Sequence, residues 1–325
     1  VLGASGCPPE FAQKTVEDEL EEEAKSGEKG YDPLLRRLVE RCTYGANKEE
    51  LDLAKQMGYD DYLDYHLDYT AIDDSDLNDR LSGFVSLNWS AKRLAEEANA
   101  GNYDVFYEIA NATILRSAYS RRQLYERMAE FWRDHFSIYI EKDYMHYLMP
   151  ADHRDVIRKH ALGTFPEMLA ASAHSPAMLV YLDNALSSQD APNQNYAREL
   201  MELHTLGVGN YTQEDVEEVA RCFTGYSLAY DYEASNWGTF KFYNWAHDKK
   251  KKKVLGHEIP KRGGAQDAQI VLDILTQDPN FAPITGRFIG RKLANWLWGY
   301  NPPQALVDSI ADTYVSSGGN IKKMV

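Results

Sequence analysis

Five ionisable side chains have the types and spacing from which a reactive or metal-binding site can be built. Glu199, Glu202 and His204 share one segment, and His135 and His247 lie outside it. Carboxylates and imidazoles supply the mixed oxygen and nitrogen ligands that suit a divalent metal, and a metal held there would activate water for hydrolysis. Without a metal, Glu199 or Glu202 has the chemistry of a general base, and His135 or His204 that of an acid. Spacing restricts the metal arrangement, because on an ideal helix Glu202 and His204 point about 200° apart. A packing arrangement uses the same residues: Arg198, four before Glu202 and within pairing reach, joins Glu199 and Glu202 in a buried salt-bridge network, with His204 a core histidine. Sequence alone leaves both open.

The elements that must position these residues are written in NQNYARELMELHTLGVGNYTQEDVEEVARCFTG, residues 193–225. Tyr196, Leu200 and Leu203 share one helical face, and Asn195, Glu199 and Glu202 form a polar stripe. Gly207 and Gly209 end that helix. Thr212 followed by Asp215 is a capping box with Asp in place of Glu or Gln, which starts a second helix. Its buried stripe is Val216, Val219, Ala220 and Phe223, and Gly225 stops it.

That segment closely resembles the signature of the bacterial domain-of-unknown-function 1800 family. LLRRLVERCTYG (34–45), FWRDHFS (131–137), HRDVIRKHALGTFPEMLAASAHSPAMLVYLDN (153–184), HDKKKKKVLG (247–256) and RFIGRKLANWLWGYNPP (287–303) resemble it in the same order. The resemblance implies a mainly helical, exported protein that is periplasmic, on the cell surface or extracellular. It also implies a sulfatase-like partner encoded nearby, a domain continuing past Val325, and no assigned reaction.

Composition narrows the classes. At 325 residues, 44% hydrophobic and 26% charged, the chain has the make-up of a globular protein with a substantial core. A formal net charge of −15 argues against wrapping nucleic acid, whose phosphates need a basic surface. No apolar run approaches the roughly 20 residues that span a bilayer. VLGASGC ends in small residues before Cys7, a pattern compatible with a lipid-anchored cysteine or with a plain small-residue leader. The three cysteines, Cys7, Cys42 and Cys222, have no zinc-site spacing. A Cys42–Cys222 bridge is one option, and two buried free thiols the favoured one.

Along the chain, residues 1–30 form an acidic arm, and a single large helical domain follows over 31–325. Leu34, Leu35, Leu38 and Val39 make an amphipathic helix, and Asn47 with Glu50 caps the next. YDDYLDYHLDY (59–69) is a packed helix or a sugar-binding or partner-binding surface, with packing preferred. After the polar stretch AIDDSDLNDR, helices are expected near 87–99, 103–118 and 120–136, the last burying Leu124, Met128, Phe131, Trp132 and Phe136. His135 sits near that helix's C-terminus, where the dipole would favour an imidazolium. Asp152 is read as a cap. His153, Arg154, Arg158 and His160 form either an anion-binding cluster or solvated faces with local salt bridges, the second preferred in so acidic a chain. Ser175-Pro176 opens a short helix through Tyr181. From 237 to 259 the period becomes alternating, which predicts a small β-hairpin insertion with the five lysines 249–253 at its tip. No G-x-S-x-G, Walker, G-x-G-x-x-G or H-E-x-x-H motif occurs. The expectation is therefore a mainly α, multi-helical, exported assembly or binding component, possible oligomerisation included, with a metal-dependent hydrolase as the alternative.

Overall fold

The computed structural model describes residues 30–325. The acidic arm before Gly30 and the proposed lipid site at Cys7 lie outside the described residues. Helix starts follow local side-chain chemistry. Asp32 accepts from the Leu34 amide at 2.7 Å and Pro33 occupies the first turn of α1 (Pro33–Cys42). Asn47 accepts from the Glu50 amide at 2.9 Å to start α2 (Lys48–Met57), and α3 (Tyr59–Leu67) follows. The stretch after it is not all loop: Ser75–Leu81 is helix α4, anchored by buried Leu77. Next come α5 (Ala91–Asn99), α6 (Glu108–Tyr119) and α7 (Gln123–Phe136).

α7 is the axle of the main core. Leu124, Met128, Phe131, Trp132 and Phe136 are all buried, and the Trp132 indole donates to the Ala161 carbonyl at 3.0 Å. α8 (Met145–Asp152), with Pro150 inside it, runs straight into a π-helical turn, His153–Arg158. Asp152 is therefore not an N-cap. It is buried within a continuous helix, where it accepts from Ser175 Oγ at 2.5 Å, and burial pushes its carboxyl up to about 6. α9 (Phe165–Ala173) and α10 (Pro176–Tyr181) lead to α11 (Gln194–Glu199), which continues as a second π turn, Leu200–Thr205.

α12 (Gln213–Cys222) opens on the expected capping box, and Val216, Val219, Ala220 and Phe223 are fully buried. The small β component is two separate antiparallel pairs. β1 (Tyr226–Leu228) pairs with β2 (Phe240–Phe242), and β3 (Lys252–Val254) with β4 (His257–Ile259). The second turn falls at Leu255 and Gly256, so the lysine run enters a strand instead of forming the tip. Lys252, 1% exposed, is inside the protein.

Three helices, α13 (Gln266–Gln277), α14 (Ala282–Leu297) and α15 (Gln304–Ser317), complete the core before the short α16 (Ile321–Met324). Gly286 and Gly290 let α14 approach α15 closely, since a Cβ there would meet Tyr314 at 3.0 Å and Ile310 at 3.2 Å. The C-terminal end is stapled to the start of α9 by Phe165 N–H to Gly319 O at 2.8 Å and Ile321 N–H to Gly163 O at 2.9 Å. The molecule is thus mainly α with a small hairpin component. Among the described residues, no helix is long and apolar enough to cross a membrane.

Candidate functional site

The five sequence candidates fall into three places. His135 and His204 are both buried, with ring centroids 5.8 Å apart. His135 Nε2 lies 3.2 Å from the His204 carbonyl and its Nδ1 lies 3.1 Å from Lys292 Nζ. With the ammonium donating to Nδ1, the tautomer is fixed and Nε2–H donates to the carbonyl. Burial, then the Lys292 charge, hold the His135 imidazole well below its usual pKa. The same causes push His204 down to about 3. Both rings are neutral, so the imidazolium expected at the end of α7 does not form, because desolvation outweighs the helix dipole.

The Leu203 and His204 carbonyls, in the last turn of the helix and so without intrahelical partners, accept from Lys292 Nζ (3.3 Å) and His135. The π turn rotates the sequence: Leu203, expected inward, is 49% exposed, while Met201 takes the buried position. Glu199 and Glu202 are partly exposed. Glu202 accepts from the Tyr211 hydroxyl, and Arg198 donates to Gln213 Oε1 at 2.7 Å instead of pairing with Glu202. Burial, then the charge of Glu202, raises the Glu199 carboxyl. Among the described residues, neither glutamate is joined to a candidate histidine by a hydrogen bond or ion pair, and the buried Arg198 network does not form.

His247 belongs to a different buried cluster. Its Nδ1 is 2.9 Å from the Thr224 carbonyl and its Nε2 is 3.1 Å from Asp267 Oδ2. The same oxygen accepts from Lys252 Nζ at 2.6 Å, and all three side chains are inaccessible to solvent. Lys252 also donates to the Asp248 and Lys250 carbonyls. Asp248 in turn receives Arg221 Nε at 2.8 Å, and Arg221 pairs with Glu218. This is the salt-bridge lock that sequence reasoning placed at Arg198. Cys42 and Cys222 are both buried free thiols. Among the described residues, no group of three or more His, Cys, Asp or Glu is arranged to hold a metal ion.

A cavity of about 490 Å³ lies elsewhere, between α4, the 3₁₀ turn Val85–Asn88, α6 and the π turn His153–Arg158. Of the four residues weighed as an anion cluster or, preferably, as solvated faces with local salt bridges, His153, Arg154 and Arg158 line it, and Arg116 of α6 joins them. His160 is not among its walls. On a straight α-helix His153 and Arg158, five apart, would point about 140° away from each other; the π turn brings both to one wall. Trp89 and Phe84 supply part of its apolar side.

Charge at this cavity is uneven. Arg158 is held by Glu126 through two bonds of 2.6 and 2.7 Å, with Glu126 buried. Arg154 is held by Asp155 at 2.8 and 2.7 Å and donates to the Leu87 carbonyl at 3.1 Å. Arg116 has no counter-ion or hydrogen-bond partner among the described residues, and its Nη1 is fully buried. Burial, then Arg158, push Arg116 down to about 10, so it stays charged at neutral pH. His153, 7% exposed, makes no side-chain hydrogen bond among the described residues. Burial, then Arg158 and Arg116, hold it well below its usual pKa, leaving a neutral ring with one donor and one acceptor.

A helical molecule with scattered ionisable candidates and a cationic cavity defines a class by architecture alone. The family model described as Protein of unknown function (DUF1800) matches residues 37–325, and the chain belongs to that family. No curated protein and no solved structure matches it.

Proposed function

We propose that this chain is an exported binding or assembly component of the cell surface or periplasm, and that its ligand enters the cavity beside the π turn His153–Arg158. The observation that carries the reading is Arg116 Nη1, a buried donor without a partner at the wall of a cavity, with the His153 ring beside it making no side-chain hydrogen bond. Unpaired buried groups are costly to the fold, and about 490 Å³ is the size of a small-molecule site. By contrast, the residues with catalytic chemistry are dispersed. Large rings left to solvent, among them Tyr103, Tyr107, Tyr144, Trp245 and Tyr300, offer contact surface for a protein partner. The sulfatase-like protein implied by the family resemblance is the first partner to test.

Purification from the native source under mild conditions checks the assembly part of this reading: the chain is expected to migrate in a complex, and migration as a lone monomer would overturn that part. Metal analysis checks the hydrolase alternative, for which the divalent ion would sit on Glu199, Glu202, His135, His204 or His247. We expect no stoichiometric metal. A bound metal that disappears in a folded Glu199→Gln, Glu202→Gln double variant would replace the binding reading with the hydrolase.

A further inference from the structure

We propose that the cavity is a binding site for an organic oxyanion, a carboxylate, sulfate ester or phosphate ester on an apolar or planar body, with Arg116 as its principal cation. The inference rests on the binding reading and names its ligand class.

Arg158 and Arg154 each have a carboxylate of their own, Glu126 and Asp155. Both Glu126 oxygens are engaged by Arg158, so Glu126 attracts Arg116 only at a distance. One positive charge is therefore left over at Arg116. A guanidinium presents a planar fork of donors that matches an oxyanion, and this one spends none of them on the described residues. His153 adds a neutral imidazole with an unused donor.

The aromatic part of the lining fixes the rest of the ligand. Trp89 and Phe84 offer ring surface, so a carbon body of planar or apolar character is favoured over a bare ion. Arg154, tied to the Leu87 carbonyl, links the Val85–Asn88 turn to the π turn. The site is pre-formed in this sense. An overall charge of −15 repels anions at long range, so binding here must come from this local surplus, not from a general field.

Calorimetric titration with phenyl phosphate, phenyl sulfate and benzoate, each compared with inorganic phosphate, tests the proposal. At least one aryl anion is expected to saturate at one per chain and to bind more tightly than inorganic phosphate. Arg116→Met keeps the apolar stem and removes the charge; it is expected to weaken that binding tenfold or more, with Arg116→Lys falling between. Without ligand, Arg116→Met is expected to melt no lower than the unsubstituted protein, since no internal partner is orphaned. Absence of saturation with all three anions, equal affinity in Arg116→Met, or a lower melting temperature for it would each overturn the assignment. The assembly reading is scored separately by native migration. A complex that persists without anion binding sinks only the ligand assignment, whereas anion binding by a lone monomer supports it.

Discussion

Two lysines one position apart illustrate what a residue's surroundings do to its value. Lys251 pairs with Glu258 in solvent at 2.6 Å, and Lys252 pairs with Asp267 where neither side chain is accessible. Exposed pairs contribute about 0–1 kcal/mol, whereas removing one member of a buried pair leaves an uncompensated charge at a cost of about 3–5 kcal/mol. Asp267→Asn is therefore expected to lower unfolding free energy by about 3–5 kcal/mol in urea, and Lys251→Ala to change it by less than about 1 kcal/mol. Equal effects would show that Lys252 is hydrated in solution. His204 sets a pH dependence. In an unfolded chain histidine protonates near about pH 6.5, whereas buried His204 resists until about pH 3. Between those values the unfolded state binds more protons, so stability falls as pH drops from about 6.5 towards 3, by at most about 1.4 kcal/mol per pH unit for this group. His204→Gln should flatten that slope in urea titrations at successive pH values; an unchanged slope would assign the acid sensitivity elsewhere.

Elements are joined here by single residues with two duties. Asp215 completes the capping box of α12 through Thr212 and also accepts from the Leu255 amide at 2.7 Å, at the turn between β3 and β4. Thr212→Ala should cost about 1 kcal/mol, the usual value of an N-cap. Asp215→Ala should cost more and, unlike Thr212→Ala, speed amide exchange across residues 252–259. Equal exchange in the two variants would mean the hairpin does not depend on that bond. Gly225 shows how a backbone position is constrained: its φ is +82°, and a Cβ would stand 2.6 Å from the Tyr243 carbonyl. Gly225→Ala should destabilise by about 1–3 kcal/mol, read by thermal unfolding.

At the scale of the molecule, the cavity lies at a seam. The main cluster of buried apolar residues extends from Leu38 to Met324 but skips α4, α5 and α6. Ala91 of α5 packs instead in a small second cluster with Met145, Leu148 and Ala177. Segments with fewer buried apolar contacts open at lower free energy. Amides of residues 75–119 should therefore exchange before those of α7 and α14 in native-state hydrogen exchange. A bound oxyanion, touching both sides of the seam, should slow that exchange selectively; uniform exchange with and without ligand would remove the seam.

What the sequence determined by itself was local. Caps at Asn47 and Thr212, the short helix from Pro176 to Tyr181, the glycine stop at Gly207 and the buried stripes of α7 and α12 are decided by residues within a turn or two of one another. The mainly helical class and the family follow from such strings. Tertiary structure decided the rest, because burial, pairing and helix phase depend on distant partners. Leu203 turned outward when a π turn added a residue to the helix, and β1 found β2 across a loop whose pairing no local period records. Lys252 went inside because Asp267, fifteen positions on, was waiting there. His153, Arg154 and Arg158 were legible as a cluster, but their meaning was set by Arg116, brought from another helix with its charge unpaired.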